Sequence, residues 1–309
     1  MNTRLISETS ARYSNKLKKL KISKKIVLYA LLMALGYVYI YPVLYMIVSS
    51  LMTMDDLVNP TVTWVPTEFF LGNYRKAVRV LHFGESLFTS VFLAFVSSLL
   101  QTLSCSLAGY AFARHNFPGK KFYFALMIGI FLIPSQVMTV PKYLLFDTYK
   151  LLNSELALFV PAAFGQGIKS TIFVLIFYQA FRSYPQSFDE AAQLDGAGRL
   201  KVFLKIAVPV CLPAFVIAFL FSFVWYWNET YQSSLLLGSE IRTLPMRLNA
   251  FVQEYSRLYP TSDGSEINKI NESIRMAGTI LTIVPLLVLY SVLQKQFVEG
   301  IESSGITGE

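Results

Sequence analysis

Long, nearly uncharged apolar segments constrain this chain more than any other feature of its sequence. Each of six segments is long enough, or nearly so, to cross a hydrocarbon core of about 30 Å as a helix. The segments are about Ile26–Leu51, Leu87–Ala113, Phe122–Leu145, Leu156–Phe181, Pro209–Trp227 and Met276–Phe297. Hydrophobic residues make up 54% of the chain and charged residues only 15%, whereas about a quarter of a soluble domain is charged. Lipid must therefore solvate part of the surface.

The length of these runs also selects the fold class. Within lipid, only helices and closed barrels satisfy every backbone hydrogen-bonding group. A barrel would show alternating segments of about ten residues, whereas these apolar runs are long and unbroken. The sequence therefore predicts an all-α fold, a polytopic membrane bundle of six transmembrane helices. A cleaved signal peptide is not expected, because the first run exceeds the roughly 7–15 residues of a signal h-region.

The basic residues indicate the orientation of the bundle. Eight of them precede the first segment: Arg4, Arg12, Lys16, Lys18, Lys19, Lys21, Lys24 and Lys25. Such a cluster is typical of the cytoplasmic flank of a membrane helix, and we prefer this interpretation to a nucleic-acid-binding arm. Both termini are then expected inside the cell. Alternation places Arg114–Lys121 and Arg182–Lys205 in the cytoplasm, and Met52–Ser86, Asp147–Glu155 and Glu229–Arg275 outside.

Two segments contain helix-breaking residues. The third contains Pro134 and Pro141, and the fourth contains Pro161, Gly165 and Gly167. Breaks in membrane helices persist where protein or a water-filled cavity covers the freed backbone groups, which favours a path through the bundle at these two segments. The alternative is that proline and glycine are simply more frequent in spanning helices than in soluble ones.

The loop between the fourth and fifth segments contains signals for a short helix. Ser187 and Glu190 have the spacing of a capping box, and Gly196 is a natural C-terminal stop. Phe188, Ala191 and Ala192 would lie on one face of this helix, and that face is small and only partly apolar. A face of this kind suits close approach by another protein better than insertion into lipid.

The same loop resembles the EAA loop of ABC importer permeases, written EAA-x3-G-x9-I-x-L-P. Glu190-Ala-Ala192 is followed at that spacing by Gly196 and by Ile206-Ala-Val-Pro209, with Val208 in place of leucine as the one departure. Further stretches are similar to the sugar-importing branch, and most similar to its second, maltose-transporter-type permease: Ile133–Val137, Asp189–Ala197, Trp225–Asn228 and Phe297–Ile301. The resemblance covers Leu87–Gly308, and the polar segment Glu254–Arg275 departs from it.

The resemblance implies the type I importer permease fold in a bacterial cytoplasmic membrane. On this basis the chain divides into a basic cytoplasmic arm (1–25), a first transmembrane helix (26–51), a permease core of five helices (84–300) that includes the EAA loop (185–209), and a cytoplasmic tail (301–309). The implied partners are a second homologous permease, two ATPase subunits and an extracellular solute-binding protein. The loop helix would couple to the ATPase through Phe188, Asp189, Glu190, Ala191, Ala192, Asp195 and Gly196.

No phosphate-binding GxxxxGK[ST] loop occurs in the sequence, so the chain is expected to be non-catalytic. ATP and Mg²⁺ would be bound by the separate ATPase subunits, and no cofactor or metal is expected on this chain. The expected cargo is a sugar or oligosaccharide, and the first alternative is a permease for a non-sugar solute. An ion-coupled secondary carrier is a distant alternative, because it would need intramembrane carboxylates and the segments contain essentially none.

Three polar residues are candidates to line a solute path: Gln136, Lys169 and Asn228. A cation inside a span is costly and by default faces a cavity or a partner. For Lys169 we prefer the alternative that its helix begins near Ser170 and that the lysine lies at the outer interface. For Gln136 and Asn228, hydrogen bonding between helices is the slightly preferred alternative.

Overall fold

The computed structural model describes residues 2–260 and 271–305, and it describes side chains for residues 25–260 and 271–295. Within these ranges the chain is all-helical and has no β-strand, as predicted. The helices are α1 Asn2–Ser50, α2 Met54–Val58, α3 Gly72–Val80, α4 Phe83–Arg114, α5 Lys120–Leu132, α6 Thr139–Thr148, α7 Leu156–Ala163, α8 Ser170–Ser183, α9 Ser187–Leu194, α10 Arg199–Val202, α11 Val208–Val210, α12 Leu212–Asn228, α13 Tyr231–Leu236, α14 Leu244–Asn249, α15 Phe251–Leu258 and α16 Glu272–Gly305. A π-helical turn, Phe203–Ala207, joins α10 to α11.

Among the described residues, three continuous helical stretches are long and apolar enough to cross a membrane: Lys25–Ser50, Phe83–Arg114 and Glu272–Lys295. A fourth candidate is the pair Arg199–Val210 and Leu212–Asn228, which is bent by 80° at the break between them. The predicted third and fourth segments are each divided into two shorter helices, α5 with α6 and α7 with α8. The count of six crossings and their orientation therefore stay predictions.

The chain forms two compact units. The first comprises residues 1–75 and 271–280. In this unit the end of α1 is fixed by the buried Asn73, whose amide donates to the carbonyls of Ser50 and Met52 at 2.9 Å each. Most apolar side chains of α1 from Ile26 to Ile47 are exposed, as expected of a helix that lipid surrounds.

The second unit comprises residues 76–270 and 281–309, and α4 is its central helix. Helix α4 packs along α8 and α12 and also contacts α7. Its buried face is rich in small residues: Ser86, Ser90, Ser97, Ser98, Thr102, Cys105, Ser106 and Gly109. Small side chains let helix backbones approach closely in membranes. At Gly109 an added Cβ would lie 2.5 Å from Phe177 Cβ and 3.0 Å from both Val174 O and Tyr178 N, so only glycine fits there.

The break between α7 and α8 is closed by side chains from two other helices. Gln101 of α4 is fully buried, and its amide donates to Ile168 O at 2.9 Å. The hydroxyl of Tyr226 in α12 donates to Gln101 Oε1 at 2.7 Å and accepts from Ile168 N at 3.3 Å. A Cβ at Gly167 would collide with both side chains. The predicted interruption of the fourth segment is therefore confirmed at Gly165 and Gly167, whereas Pro161 lies inside α7. Protein covers part of the freed backbone.

The third segment is interrupted at Pro134, as predicted, whereas Pro141 lies within the first turn of α6 and does not break it. Helix α5 ends at Leu132 and α6 begins at Thr139. Between them, Val137 N donates to Pro134 O at 3.1 Å and Met138 N donates to Ser135 O at 3.2 Å, which are the bonds of successive tight turns. Pro134 cannot continue the hydrogen-bonding ladder of α5 because it has no backbone N–H.

Candidate functional site

Helix α9, which we call the loop helix, begins differently from the capping scheme that the sequence predicts. The prediction that Ser187 caps it is wrong: the N-cap is Gln186, and its side chain makes no capping hydrogen bond. The carbonyl of Gln186 instead accepts from Asp189 N at 3.0 Å and Glu190 N at 3.2 Å. Gln186 is already helical, with φ −66° and ψ −24°, so Ser187 lies one residue too late to cap.

The C-terminal end of the loop helix confirms the predicted stop at Gly196. Gly196 has φ +79°, a left-handed conformation that glycine adopts without steric cost. Its N–H donates to Gln193 O at 3.0 Å, and Ala197 N donates to Ala192 O at 2.9 Å. This pair of bonds is a Schellman motif, which satisfies carbonyls that the end of the helix would otherwise leave free.

Replacing Gly196 by alanine is expected to loosen this end of the helix. An added Cβ would meet no atom within 4 Å, so the cost is the left-handed backbone itself, about 1 kcal/mol. We expect the amides of Gly196 and Ala197 to exchange hydrogen about fivefold faster. Gly198→Ala is the matched control, because Gly198 also has open space around it but has φ −67°. Equal exchange in the two variants would contradict this explanation.

The seven residues predicted to couple to an ATPase differ in exposure. Six of them are exposed or half-buried, and Phe188 at the start of the helix is 50% exposed. The exception is Asp189, which is buried with 5% exposure. Leu194 was not among the predicted residues, yet it is 89% exposed at the end of the same helix. The loop helix thus presents an apolar residue at each end of an otherwise polar and small surface.

Asp189 is occupied by contacts within this chain. Its Oδ1 accepts from the hydroxyl of Tyr184 at 2.8 Å, and its Oδ2 lies 3.5 Å from Nε of Arg114, the last residue of α4. Arg114 donates from Nη2 to Tyr184 O at 2.7 Å, and its guanidinium carbon lies 3.7 Å from the centre of the Tyr184 ring. The Arg114 and Asp189 side chains are only 8% and 7% exposed. We call these three residues the latch.

The geometry of the latch shows which of its contacts are hydrogen bonds. Within the part of the chain that the structure describes, Arg114 Nε has no hydrogen-bond acceptor, so its 3.5 Å approach to Asp189 is a charge contact. Burial raises the pKa of Tyr184, and the hydrogen bond to Asp189 raises it further. Tyr184 therefore stays a neutral hydroxyl donor at physiological pH.

His115, the residue after Arg114, lies against the same region. Its ring is 5.4 Å from that of Tyr110. Burial lowers the pKa of His115, and the nearby positive charge of Arg199 lowers it further. At neutral pH it is therefore an uncharged residue and adds no second cation beside Arg114.

The three candidates for a solute path lie at helix ends or breaks. Gln136 is exposed in the turn between α5 and α6, and Asn228 is the last residue of α12, where its amide donates to Val224 O of the same helix at 2.9 Å. Lys169 is the N-cap of α8 and has φ +51°. From the sequence we prefer a helix that begins near Ser170 over a lysine inside the span, and α8 does begin at Ser170. The Lys169 ammonium lies 4.9 Å from the centre of the Trp225 ring.

A further polar cluster was not predicted from the sequence. Lys142 lies in α6, inside the predicted third segment, and its ammonium donates to Gln232 Oε1 at 3.0 Å. Gln232 N in turn donates to Glu229 Oε1 at 2.8 Å. A lysine within an apolar segment by itself indicates a buried partner. The sequence could therefore have predicted that Lys142 has one.

These features define an all-helical membrane component that carries an exposed, separately capped helix in one of its loops. The chain belongs to the family of binding-protein-dependent transport system inner membrane components, which its residues 102–303 match. It is an inner-membrane permease of an ABC importer, a component that works with ATPase and binding-protein components. The predicted family is therefore confirmed.

Individual relatives agree with this assignment. The osmoprotective compounds uptake permease protein GgtD of Synechocystis sp. is 28% identical, over 96% of this chain and 97% of its own. The sulfoquinovosyl glycerol transport system permease protein SmoH of Agrobacterium fabrum is 28% identical, over 87% and 89%. The structure of a bacterial ABC transporter involved in the import of the acidic polysaccharide alginate includes a chain that superposes with a TM-score of 0.70, at 20% identity, over 88% of this chain and 95% of that one. This superposition supports the fold.

Proposed function

We propose that this chain is one of two homologous permease subunits in an importer that carries a sugar or oligosaccharide into the cell. An extracellular binding protein delivers the solute, and ATP with Mg²⁺ is bound and hydrolysed on the ATPase subunits. Both termini and the loop helix face the cytoplasm. The loop helix docks on an ATPase subunit through its exposed residues, and nucleotide-driven closure moves the bundle between inward and outward access.

The observation that carries this proposal is the exposure of the loop helix. A helix of eight residues that leaves Phe188 50% and Leu194 89% exposed has no apolar core of its own to cover them. Its ends are nevertheless well fixed, by the Schellman motif at Gly196 and by the contacts of Asp189. A rigid helix with uncovered apolar ends is suited to insertion into a groove on another protein.

The carbohydrate cargo is supported by the relatives. SmoH is named for sulfoquinovosyl glycerol transport, AraQ of Halalkalibacterium halodurans for arabinooligosaccharides and LacG of Rhizobium radiobacter for lactose. Gln136, Lys169 and Asn228 stay candidates for the solute path, since all three lie where helices end or break. For Lys169, the start of α8 at Ser170 favours a place at the outer interface.

The test is purification of the tagged chain from native membranes, followed by reconstitution in vesicles loaded with MgATP. We expect a second permease of the same family and an ATPase to co-purify. We also expect uptake from a panel of labelled disaccharides and oligosaccharides that requires the binding protein and ATP. Recovery of the chain without an ATPase would overturn the proposal. Uptake of a labelled amino acid but of no saccharide would support the non-sugar alternative, and uptake driven by an ion gradient without ATP would support a secondary carrier.

A further inference from the structure

We propose that the latch, formed by Arg114, Tyr184 and Asp189, is the rigid connection through which movement of the loop helix reaches α4. This inference rests on the proposed function, since it assumes that an ATPase moves the loop helix. Arg114 and Asp189 are positioning residues in this scheme: they do not touch the ATPase or the solute, and they hold the loop helix in one fixed place on the bundle.

The latch joins three separate elements at one point. Arg114 is the last residue of α4, Tyr184 follows α8 as its C-cap, and Asp189 lies in the first turn of the loop helix. Two hydrogen bonds of 2.7 and 2.8 Å, the 3.5 Å charge contact and the stacked guanidinium close the cluster. A displacement of the loop helix therefore cannot move Asp189 away from Arg114 without separating two buried charges.

The burial of the ion pair favours a positional role over a stabilising one. A buried ion pair contributes little net stability, because desolvation of the two charges offsets their attraction. Removing one partner, in contrast, leaves an uncompensated buried charge. The ion pair is therefore stable in one arrangement of α4 and the loop helix, and any other arrangement costs free energy. A connection between two moving helices needs this property.

The other end of the loop helix is not connected in this way. Beyond Gly196 the chain passes through Gly198 before α10, and an added Cβ at either glycine would meet no atom within 4 Å. The backbone at these two glycines is therefore free of close side-chain contacts, and on this side the loop helix packs on α10 rather than on α4. The stiff connection is on the Asp189 side, and it leads directly into α4, which packs along α8 and α12.

The experiment uses the complete complex in detergent, with spin labels at cysteines introduced by Ser187→Cys on the loop helix and Leu107→Cys on α4. The buried native Cys105 and Cys211 are first replaced by alanine. Distances between the labels are measured by pulsed electron–electron double resonance, first without nucleotide and then after trapping with MgATP and orthovanadate. We expect one distance population, unchanged by trapping, because the loop helix and the end of α4 move as one body.

In Asp189→Asn and in Arg114→Gln we expect a second distance population to appear on trapping, with the ATPase still bound. The double variant should behave like either single variant, because each alone breaks the same contact. Tyr184→Phe keeps the ring but removes the hydroxyl, and it should give a smaller second population. This uncharged variant keeps the inference testable if a charge variant fails to fold. Arg182→Gln is the matched control and should keep one population, because Arg182 is an exposed arginine that bonds to Tyr178 of its own helix.

Three results would overturn the inference: a wild-type distance that changes on trapping, a second population that is absent from Asp189→Asn and Arg114→Gln, or one that appears equally in Arg182→Gln. Absence of an ATPase from the wild-type complex would instead overturn the proposed function, and the inference with it. The two failures are therefore distinguished by the composition of the wild-type complex.

Discussion

Replacing Glu190 by arginine is expected to release the ATPase from the complex and to abolish ATP-dependent uptake. Glu190 is exposed in the first turn of the loop helix, and in the proposed docking we expect its carboxylate to meet a cationic group of the ATPase. Reversal of its charge places like charges together and costs several kcal/mol. We expect the affinity for the ATPase to fall roughly thirtyfold or more, measured by titration of purified ATPase onto the immobilised membrane complex.

Two further variants separate docking from effects on the helix itself. Glu190→Gln loses the favourable interaction with the helix dipole, about 0.3–1 kcal/mol, without introducing a repulsive charge. Its effect should therefore be much smaller than that of Glu190→Arg. Glu85→Arg reverses an exposed acidic residue in the first turn of α4 and should leave docking intact. ATPase binding and uptake that survive Glu190→Arg in stably expressed protein would refute the docking role.

Replacing Gly109 by alanine is expected to destabilise the helical core of the second unit. The new Cβ would lie 2.5 Å from Phe177 Cβ and 3.0 Å from two backbone atoms of α8. Backbone atoms cannot rotate away as a side chain can, so α4 and α8 must separate, at a cost of about 2–3 kcal/mol. We expect the apparent Tm of the purified complex to fall by roughly 4–10 °C.

Gly129→Ala is the matched control for this prediction. Gly129 also lies inside a helix, α5, but an added Cβ there would meet nothing within 4 Å. Both substitutions gain the same intrinsic helix propensity, about 1 kcal/mol, so the difference between them isolates the steric clash. A Gly109→Ala complex as stable as Gly129→Ala would show that the α4–α8 contact is looser than the structure indicates.

The loop helix could be predicted because its signals are local. The acidic residues of its first turn and Gly196 at its end lie within ten residues of one another, and the family spacing runs through the same stretch. The capping prediction failed by one residue, because a capping box can be drawn wherever Ser and Glu are three apart. The helix break at Pro134 could also be predicted from the sequence, since proline removes a backbone donor whatever surrounds it.

The latch could not be predicted, because its members are brought together only by tertiary packing. Arg114 and Tyr184 are 70 residues apart in the chain, and an arginine at the end of an apolar run normally indicates a membrane flank. The family resemblance places Asp189 among the coupling residues, together with its neighbour Glu190. Neighbouring residues point about 100° apart around a helix, so adjacency does not fix which of the two is buried. The docking roles of these residues stay predictions.

The hydrogen bonds that close the break between α7 and α8 also bear on how the protein is made. During synthesis, Gln101 is added to the chain well before the residues of the break, whereas Tyr226 is added 58 residues after Ile168. The bond from the Ile168 N–H to Tyr226 can therefore form only after the fifth apolar segment has been made, so the break between α7 and α8 is closed only when α12 is in place beside it.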